Sequence, residues 1–226
     1  MPHFEKMERK ILKFIKVGRE EHMNSFIKKG EMYFDTVESF IRKDKNQDRF
    51  DDHEGAVDIK QVDWIKIQTE NGDTIEFSKT NNELIKLSSA YVLTHSDSKK
   101  GNIYCCSAIT PETKESFKNL DKRFRKFGDT LILIEKPKIF LDRVEKELNR
   151  QNFNFEIGLV HYYDPKKEER PLSIFNKKNS LSYQNEARIW IKNSSLSPIK
   201  IYIGPINDFV LKFKVDELIK KTMHNK

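Results

Sequence analysis

A chain of 226 residues, 37% hydrophobic and 34% charged with sixteen phenylalanines, has the make-up of one folded domain (1–226) and not of a disordered polymer. A net charge of +7 beside 35 acidic residues is a mild basic excess that suits contact with nucleic acid, nucleotides or acidic proteins without requiring it. The adjacent Cys105 and Cys106 form no CxxC pair, which argues against a structural zinc site and for a reducing compartment.

No stretch has the length of a membrane span, and Met1 to Lys6 contains no apolar leader core, so the expected place is the cytoplasm. The abundance of Lys, Asn and Ile suggests an AT-rich bacterial or phage gene, hence a bacterial host cell.

In chain order, the alternating run Ile11 to Val17 predicts a strand. Arg19 to Lys29 predicts a helix with Met23, Phe26 and Ile27 on one face, stopped by Gly30. Met32 to Phe34 is a short strand, and Asp35 or Thr36 caps a helix through Val37, Phe40 and Ile41. After a polar loop from Lys43 to Gly55, period-two patterning from Val57 to Ile67 predicts a strand, and Asn71-Gly72 turns it back through Thr74 to Phe77. Leu84 to Leu93 and Ile103 to Ile109 read as further strands, and Thr110-Pro111 starts a helix. Leu131 to Ile134 is an apolar strand, Ile139 to Leu148 an amphipathic helix, and Phe155 to Tyr163 a strand. Three late strands, Ala187 to Ile191, Ile199 to Ile203 and Phe209 to Phe213, precede a closing helix from Val215 to Met223. The sum is an α+β fold, mainly antiparallel, with strongly bent sheets flanked by four or five helices; irregular alternation disfavours a doubly wound sheet.

No GxGxxG, GxxxxGKS, HExxH or GxSxG is present, and the six histidines have no metal-ligand spacing. This excludes P-loop NTPases, zincins, α/β-hydrolases and the usual dehydrogenases. The densest polar cluster is Tyr183-Gln184-Asn185-Glu186-Ala187-Arg188, where a loop becomes a strand. On a strand Glu186, Arg188 and Trp190 share a face, either as a solvated Glu186–Arg188 pair or as a site. A carboxylate placed there can accept a hydrogen bond from a sugar hydroxyl and stabilise positive charge developing at a glycosidic carbon. Arg49, Asp52, His53 and Glu54 form an acidic loop that either binds a cation, supplies an acid or base, or is simply solvated. Lys122, Arg123, Arg125 and Lys126, mixed with Phe117, Phe124 and Phe127, are candidates for nucleic-acid contact, unless the aromatics face the core. His161 reads as a general base or as a hydrogen-bonded strand residue.

Gln184-Asn185-Glu186 followed by an apolar strand resembles the catalytic turn of the ADP-ribosyltransferase superfamily. The order strand, helix, Gly30, Met32-Tyr33-Phe34 is similar to the opening of that fold. The resemblance implies NAD as the cofactor or co-substrate, Glu186 as the catalytic carboxylate and Gln184 as the acceptor-orienting residue. It also implies Tyr33, with Phe34, against the nicotinamide, and Lys13 or Arg188 on phosphate. The first-strand basic positions are Lys13 and Lys16, where the superfamily carries Arg or His, and its Ser-Thr-Ser motif is absent.

The chain also resembles bacterial and phage proteins that share Gly30 to Phe34, Asp51 to Gly55, the Cys-X-Ser strand and Tyr183 to Ile189. That similarity implies no settled activity; with the transferase resemblance the expected target is a protein or nucleic acid in host–virus conflict. The alternatives are a non-catalytic binding protein or inhibitor of the same shape, and a metal-dependent nuclease using Asp51, Asp52, Glu54 and Glu186.

Overall fold

The computed structural model describes residues 11–42, 51–78, 90–96, 100–115, 117, 120–193 and 197–224. Arg49, Lys118 and most of the strand expected from Leu84 lie outside them. The fold is α+β with mostly antiparallel sheets and no closed barrel. Among the described residues, no helix is long and apolar enough to cross a membrane.

Strand β1 (Lys13–Gly18) runs into helix α1 (Glu20–Lys29), strand β2 (Glu31–Thr36) and helix α2 (Val37–Arg42). Helix α1 carries Glu20 and Glu21 in its first turn and Lys28 and Lys29 in its last, matching the helix dipole at both ends. Gly30 ends it in the left-handed region, φ 64°, and its N–H reaches the Phe26 carbonyl at 2.9 Å. Helix α2 is capped by Thr36, whose hydroxyl accepts from the Ser39 N–H at 3.1 Å.

Strands β3 (Ala56–Gln61) and β4 (Trp64–Gln68) divide the single strand expected from Val57 to Ile67. They belong to different sheets: β3 pairs with β6 (Tyr91–His95), and β4 pairs with β5 (Thr74–Ser78) across Asn71-Gly72. Strand β7 (Gly101–Ile109) is followed not by the helix expected at Thr110 but by turns and a 3-10 helix, Lys122–Phe127. Thr113 Oγ1 takes the Thr110 N–H at 2.9 Å, so the local side-chain bond closes one turn and does not propagate.

Strand β8 (Thr130–Ile134) leads into helix α3 (Pro137–Arg150), with Pro137 in its first turn and Phe140, Leu141, Val144 and Leu148 buried. Strands β9 (Phe155–Leu159) and β10 (His161–Tyr163) are separated at Val160, whose N–H goes to the Glu186 carbonyl at 2.8 Å. Short strands β11 (Arg170–Pro171) and β12 (Asn176–Lys178) and a second 3-10 helix, Asn179–Gln184, fill the expected polar loop. Strands β13 (Glu186–Lys192), β14 (Ile199–Tyr202) and β15 (Val210–Lys214) and helix α4 (Val215–His224) complete the chain.

The main sheet runs β14-β2-β7-β1-β8-β15, with β13 on the other edge of β7 and β9 beyond it. Strand β7 pairs with β13 along its length, from Gly101 opposite Lys192 to Ser107 opposite Glu186. Its opposite edge is shared: β1 takes Ser107 to Ile109, and β2 takes Asn102 and Ile103. Beyond Ile15, β1 leaves β7 but stays on β8 as far as Gly18. The sheet therefore forks at β7, and α1 joins the two arms.

The principal core lies between the sheet and helices α1 and α3. It includes Phe14, Phe26, Phe34, Tyr104, Phe140, Ile189 and Ile191. A second cluster on the other side joins Ile15, Leu131 and Phe124 to Val215 and Ile219 of α4.

Candidate functional site: a cleft in the forked sheet

The fork opens a cleft of about 710 Å³, lined by Lys16 and Val17 of β1, Met23 and Phe26 of α1, and Glu31, Tyr33 and Asp35 of β2. Tyr104, Cys105, Cys106 and Ser107 of β7 contribute the floor, Phe124 and Phe127 one wall, and Gln184 and Glu186 one end. The volume lies within the roughly 300–1,000 Å³ of small-molecule sites.

Period-two geometry puts Glu31, Tyr33 and Asp35 on the cleft side of β2 and buries Met32, Phe34 and Thr36 on the other. Tyr33 is 48% exposed, open to a ligand. Phe34 is fully buried against Tyr104, with ring centroids 5.5 Å apart, so its expected cofactor role is replaced by core packing.

Gln184 and Glu186 reach the same cleft because Asn185 between them turns the chain with φ 41°. Asparagine tolerates the left-handed region better than other non-glycine residues. Asn185 is fixed by its N–H to the Ser182 carbonyl and by its own carbonyl, which accepts from Ala108 at 2.7 Å.

Glu186 is buried, and two cations hold it: Lys177 Nζ at 2.5 Å from Oε2 and Arg188 Nε at 2.5 Å from Oε1. Burial alone would raise its carboxyl, but Arg188 and Lys177 outweigh it and keep Glu186 ionised far below the usual carboxylate range. Lys177 also donates to Gln184 Oε1 at 2.9 Å. Burial opposes its charge, yet the Glu186 carboxylate keeps its ammonium above the ordinary value. The Tyr162 hydroxyl accepts from the Glu186 N–H at 2.9 Å.

Arg188, 1% exposed, continues the network to Glu54, with bonds of 2.8 and 2.7 Å to its two oxygens, and to the Ile174 carbonyl. Glu54, Lys177, Glu186 and Arg188 thus form a buried quartet of zero net charge. The expected phosphate role of Arg188 is corrected: its guanidinium is consumed by carboxylates beneath the cleft. Lys13 is corrected as well, since it lies outside the cleft lining and pairs with Glu135 at 3.0 Å.

Lys16 takes the place on β1 that Lys13 does not. Its ammonium donates to the Cys105 carbonyl at 2.5 Å and lies 4.2 Å above the Tyr104 ring. Burial holds it below the ordinary amine value. The Cys105 carbonyl lies in the stretch of β7 that neither arm of the fork pairs, so the lysine replaces a missing strand. Burial pushes the Cys105 and Cys106 thiols up, leaving them poor nucleophiles at neutral pH.

The acidic loop is a buttress. Asp51 accepts from the His53 and Lys178 N–H groups, Asp52 pairs with Lys178, and Glu54 holds Arg188. His53 is clasped between the hydroxyls of Tyr163 at 2.6 Å and Tyr91 at 3.0 Å, and burial pushes its imidazole down to about 4. None of Asp52, His53 and Glu54 lines the cleft. Among the described residues, no group of three or more His, Cys, Asp or Glu side chains is placed to hold a metal ion.

Two arginines of the basic segment are paired. Arg123 binds Asp121 at 2.7 Å and stacks 3.6 Å from the Tyr183 ring, and Arg125 binds Asp216 at 2.6 Å. Phe124 is buried, while Lys122, Arg125 and Lys126 are exposed. His161 is exposed at the end of β10, away from the cleft lining.

Lys177 is the partner of Gln184 and Glu186 that the sequence concealed. It lies in β12, a three-residue strand set in register by parallel pairing with β10, and no local pattern marks it. No protein-family model matches the chain, and no curated protein or solved structure gives a significant match.

Proposed function

We propose that the cleft binds NAD and that the protein transfers ADP-ribose from it to a target, in the manner of an ADP-ribosyltransferase. One observation carries the reading: Glu186, Gln184, Tyr33 and a first-strand cation, Lys16, all line a single cleft of about 710 Å³. The Lys-, Asn- and Ile-rich composition supports a bacterial or phage protein working in the cytoplasm of a bacterial cell.

In this reading the exposed Tyr33 ring offers a face for the nicotinamide or the adenine. Lys16, desolvated and without an ion-pair partner among the described residues, meets a phosphate. NAD supplies the transferable group through its nicotinamide–ribose bond. The two cations on Glu186 hold it ionised and oppose its taking a proton as a general base. Lys177 and Arg188 take one bond at each carboxylate oxygen, and each oxygen retains a lone pair for a ribose hydroxyl. Glu186 therefore orients the sugar and places negative charge beside the reacting carbon.

The occupied carboxylate favours a second reading, in which the cleft binds a nucleotide without turning it over and the protein acts as an inhibitor or sensor. Calorimetric titration with NAD, together with nicotinamide release and transfer of labelled ADP-ribose to a host lysate, separates the two. The enzyme reading expects binding and turnover in wild type, loss of turnover in Glu186→Gln, and weaker binding in Tyr33→Ala. Binding without turnover selects the second reading, and no binding sinks both.

A further inference from the structure

Along a strand, the carbonyls of residues two or four apart leave by the same edge. The Ile109 carbonyl of β7 accepts from the Leu12 N–H at 2.8 Å, on the β1 side. The Cys105 carbonyl therefore points to the same edge, at the place where β1 has already left β7. Lys16 Nζ donates to it at 2.5 Å and lies 4.2 Å from the centre of the Tyr104 ring. Tyr104 and Cys105 both line the cleft floor, and Lys16 lines the cleft with them. The lysine amine thus sits in the gap of the fork.

A neutral amine has two N–H groups and one lone pair. The Cys105 carbonyl takes one N–H, and the face of the Tyr104 ring takes the other. The side chain itself arrives from β1. The remaining tetrahedral direction, that of the lone pair, points away from both the floor and β1 and into the cleft. The charged groups nearest Lys16, Cys105 and Cys106 of β7 and Glu186 of β13, favour its protonation, but burial outweighs them and lowers its amine below the ordinary value. Desolvation of this kind enlarges the nucleophilic fraction of a lysine.

We propose that Lys16 is a covalent capture site for an aromatic aldehyde, which it holds as an imine. Tyr33, Phe40, Phe124 and Phe127 line the same cleft and offer ring faces and edges to a flat aromatic ligand. The Lys16 lone pair attacks the carbonyl carbon, and the carbonyl π pair moves to oxygen, which takes a proton from nitrogen. The nitrogen lone pair then forms the C=N bond as the hydroxyl leaves with a proton from solvent. One water is released, and nothing is oxidised or reduced. When protonated, the imine keeps one N–H for the Cys105 carbonyl and rests its charge against the Tyr104 ring. The site needs the cleft and the amine, not NAD or Glu186, so it stands apart from the transferase reading.

The test incubates the full chain at about pH 7 with benzaldehyde and sodium cyanoborohydride, which traps an imine as a stable benzylamine. Peptide mass spectrometry then follows each lysine. Lys16 is expected to be labelled about tenfold or more faster than Lys13, which is on the same strand but outside the cleft lining. Its rate should saturate with benzaldehyde concentration, as binding before condensation requires. Benzyl alcohol, which has the ring but no carbonyl, should slow labelling of Lys16 and not of Lys13. Lys16→Arg, which keeps a donor but forms no imine, should remove the fast label. The benzyl alcohol result decides the matter in wild type even if that variant does not fold. Labelling of Lys16 no faster than Lys13, a rate linear in benzaldehyde, or indifference to benzyl alcohol overturns the proposal. Selective labelling in a protein that does not bind NAD sinks the transferase reading alone, and NAD turnover without selective labelling sinks the capture site alone.

Discussion

Arg188 donates to two carboxylates at once and has almost no surface of its own. Its replacement by Met leaves Glu54 buried and uncompensated while Glu186 retains Lys177. Breaking a buried ion pair on one side costs about 3–5 kcal/mol, so Arg188→Met is expected to lose that much in a denaturant titration. Arg188→Met combined with Glu54→Leu restores neutrality around Glu186 and Lys177 and should recover part of the loss; a double variant as unstable as the single one would count against the quartet. Lys16 behaves in the opposite sense. Its ammonium is desolvated with only a carbonyl and a ring for company. Lys16→Met is expected to gain about 1 kcal/mol, a rise of roughly 2–4 °C in Tm, and to weaken NAD binding about tenfold or more. Higher stability with unchanged binding would remove Lys16 from the site. At this scale the sequence was a fair guide to which face Glu186 and Arg188 share, because strand alternation is local. It was a poor guide to Arg188's partner: Glu54 is 134 positions away.

The elements with local causes were readable in advance. Helix α1 was legible in its Met23 and Phe26 face and in Gly30, and α3 in the spacing of Phe140, Val144 and Leu148. Gly30 is required twice over. Its φ of +64° disfavours any side chain, and a Cβ there would lie 2.2 Å from the Gly204 carbonyl oxygen. Gly30→Ala is therefore expected to destabilise by more than the ~1 kcal/mol of a left-handed alanine alone, since backbone from the β14 end must also move. Tm by calorimetry checks it, and a change within 1 °C would contradict the close approach. Elements without local causes were misread. The Thr110 segment has a helix-start composition but closes a single turn through Thr113. Strand β12 exists because it pairs with β10, at a separation that no periodicity reveals, whereas β10 falls within the strand expected from Phe155 to Tyr163.

The cleft is a property of the whole molecule: it comes from two arms competing for one edge of β7. Sequence patterning identified the strands of both arms but not where β1 leaves β7. For that reason Lys13 and Lys16 could not be told apart before the register was known.

The buried acidic loop gives the molecule a pH signature of its own. His53 sits neutral between Tyr91 and Tyr163 with its pKa lowered from 6.5 to about 4 by burial. Between those values the unfolded chain binds the proton more readily than the folded one, so stability falls as pH drops through this window and is full above about 6.5. One proton limits the slope to about 1.4 kcal/mol per pH unit. Glu186 acts lower: its folded pKa is depressed, so its contribution persists above the unfolded carboxylate range and is lost only in stronger acid. Tm measured in steps from pH 7 to pH 3 should show two limbs. His53→Gln, which keeps one donor and one acceptor for the two tyrosines, should flatten the upper limb and leave the acid limb in place. An upper limb of unchanged slope in that variant would mean that the proton is taken up elsewhere and that the loop does not titrate as a buried unit.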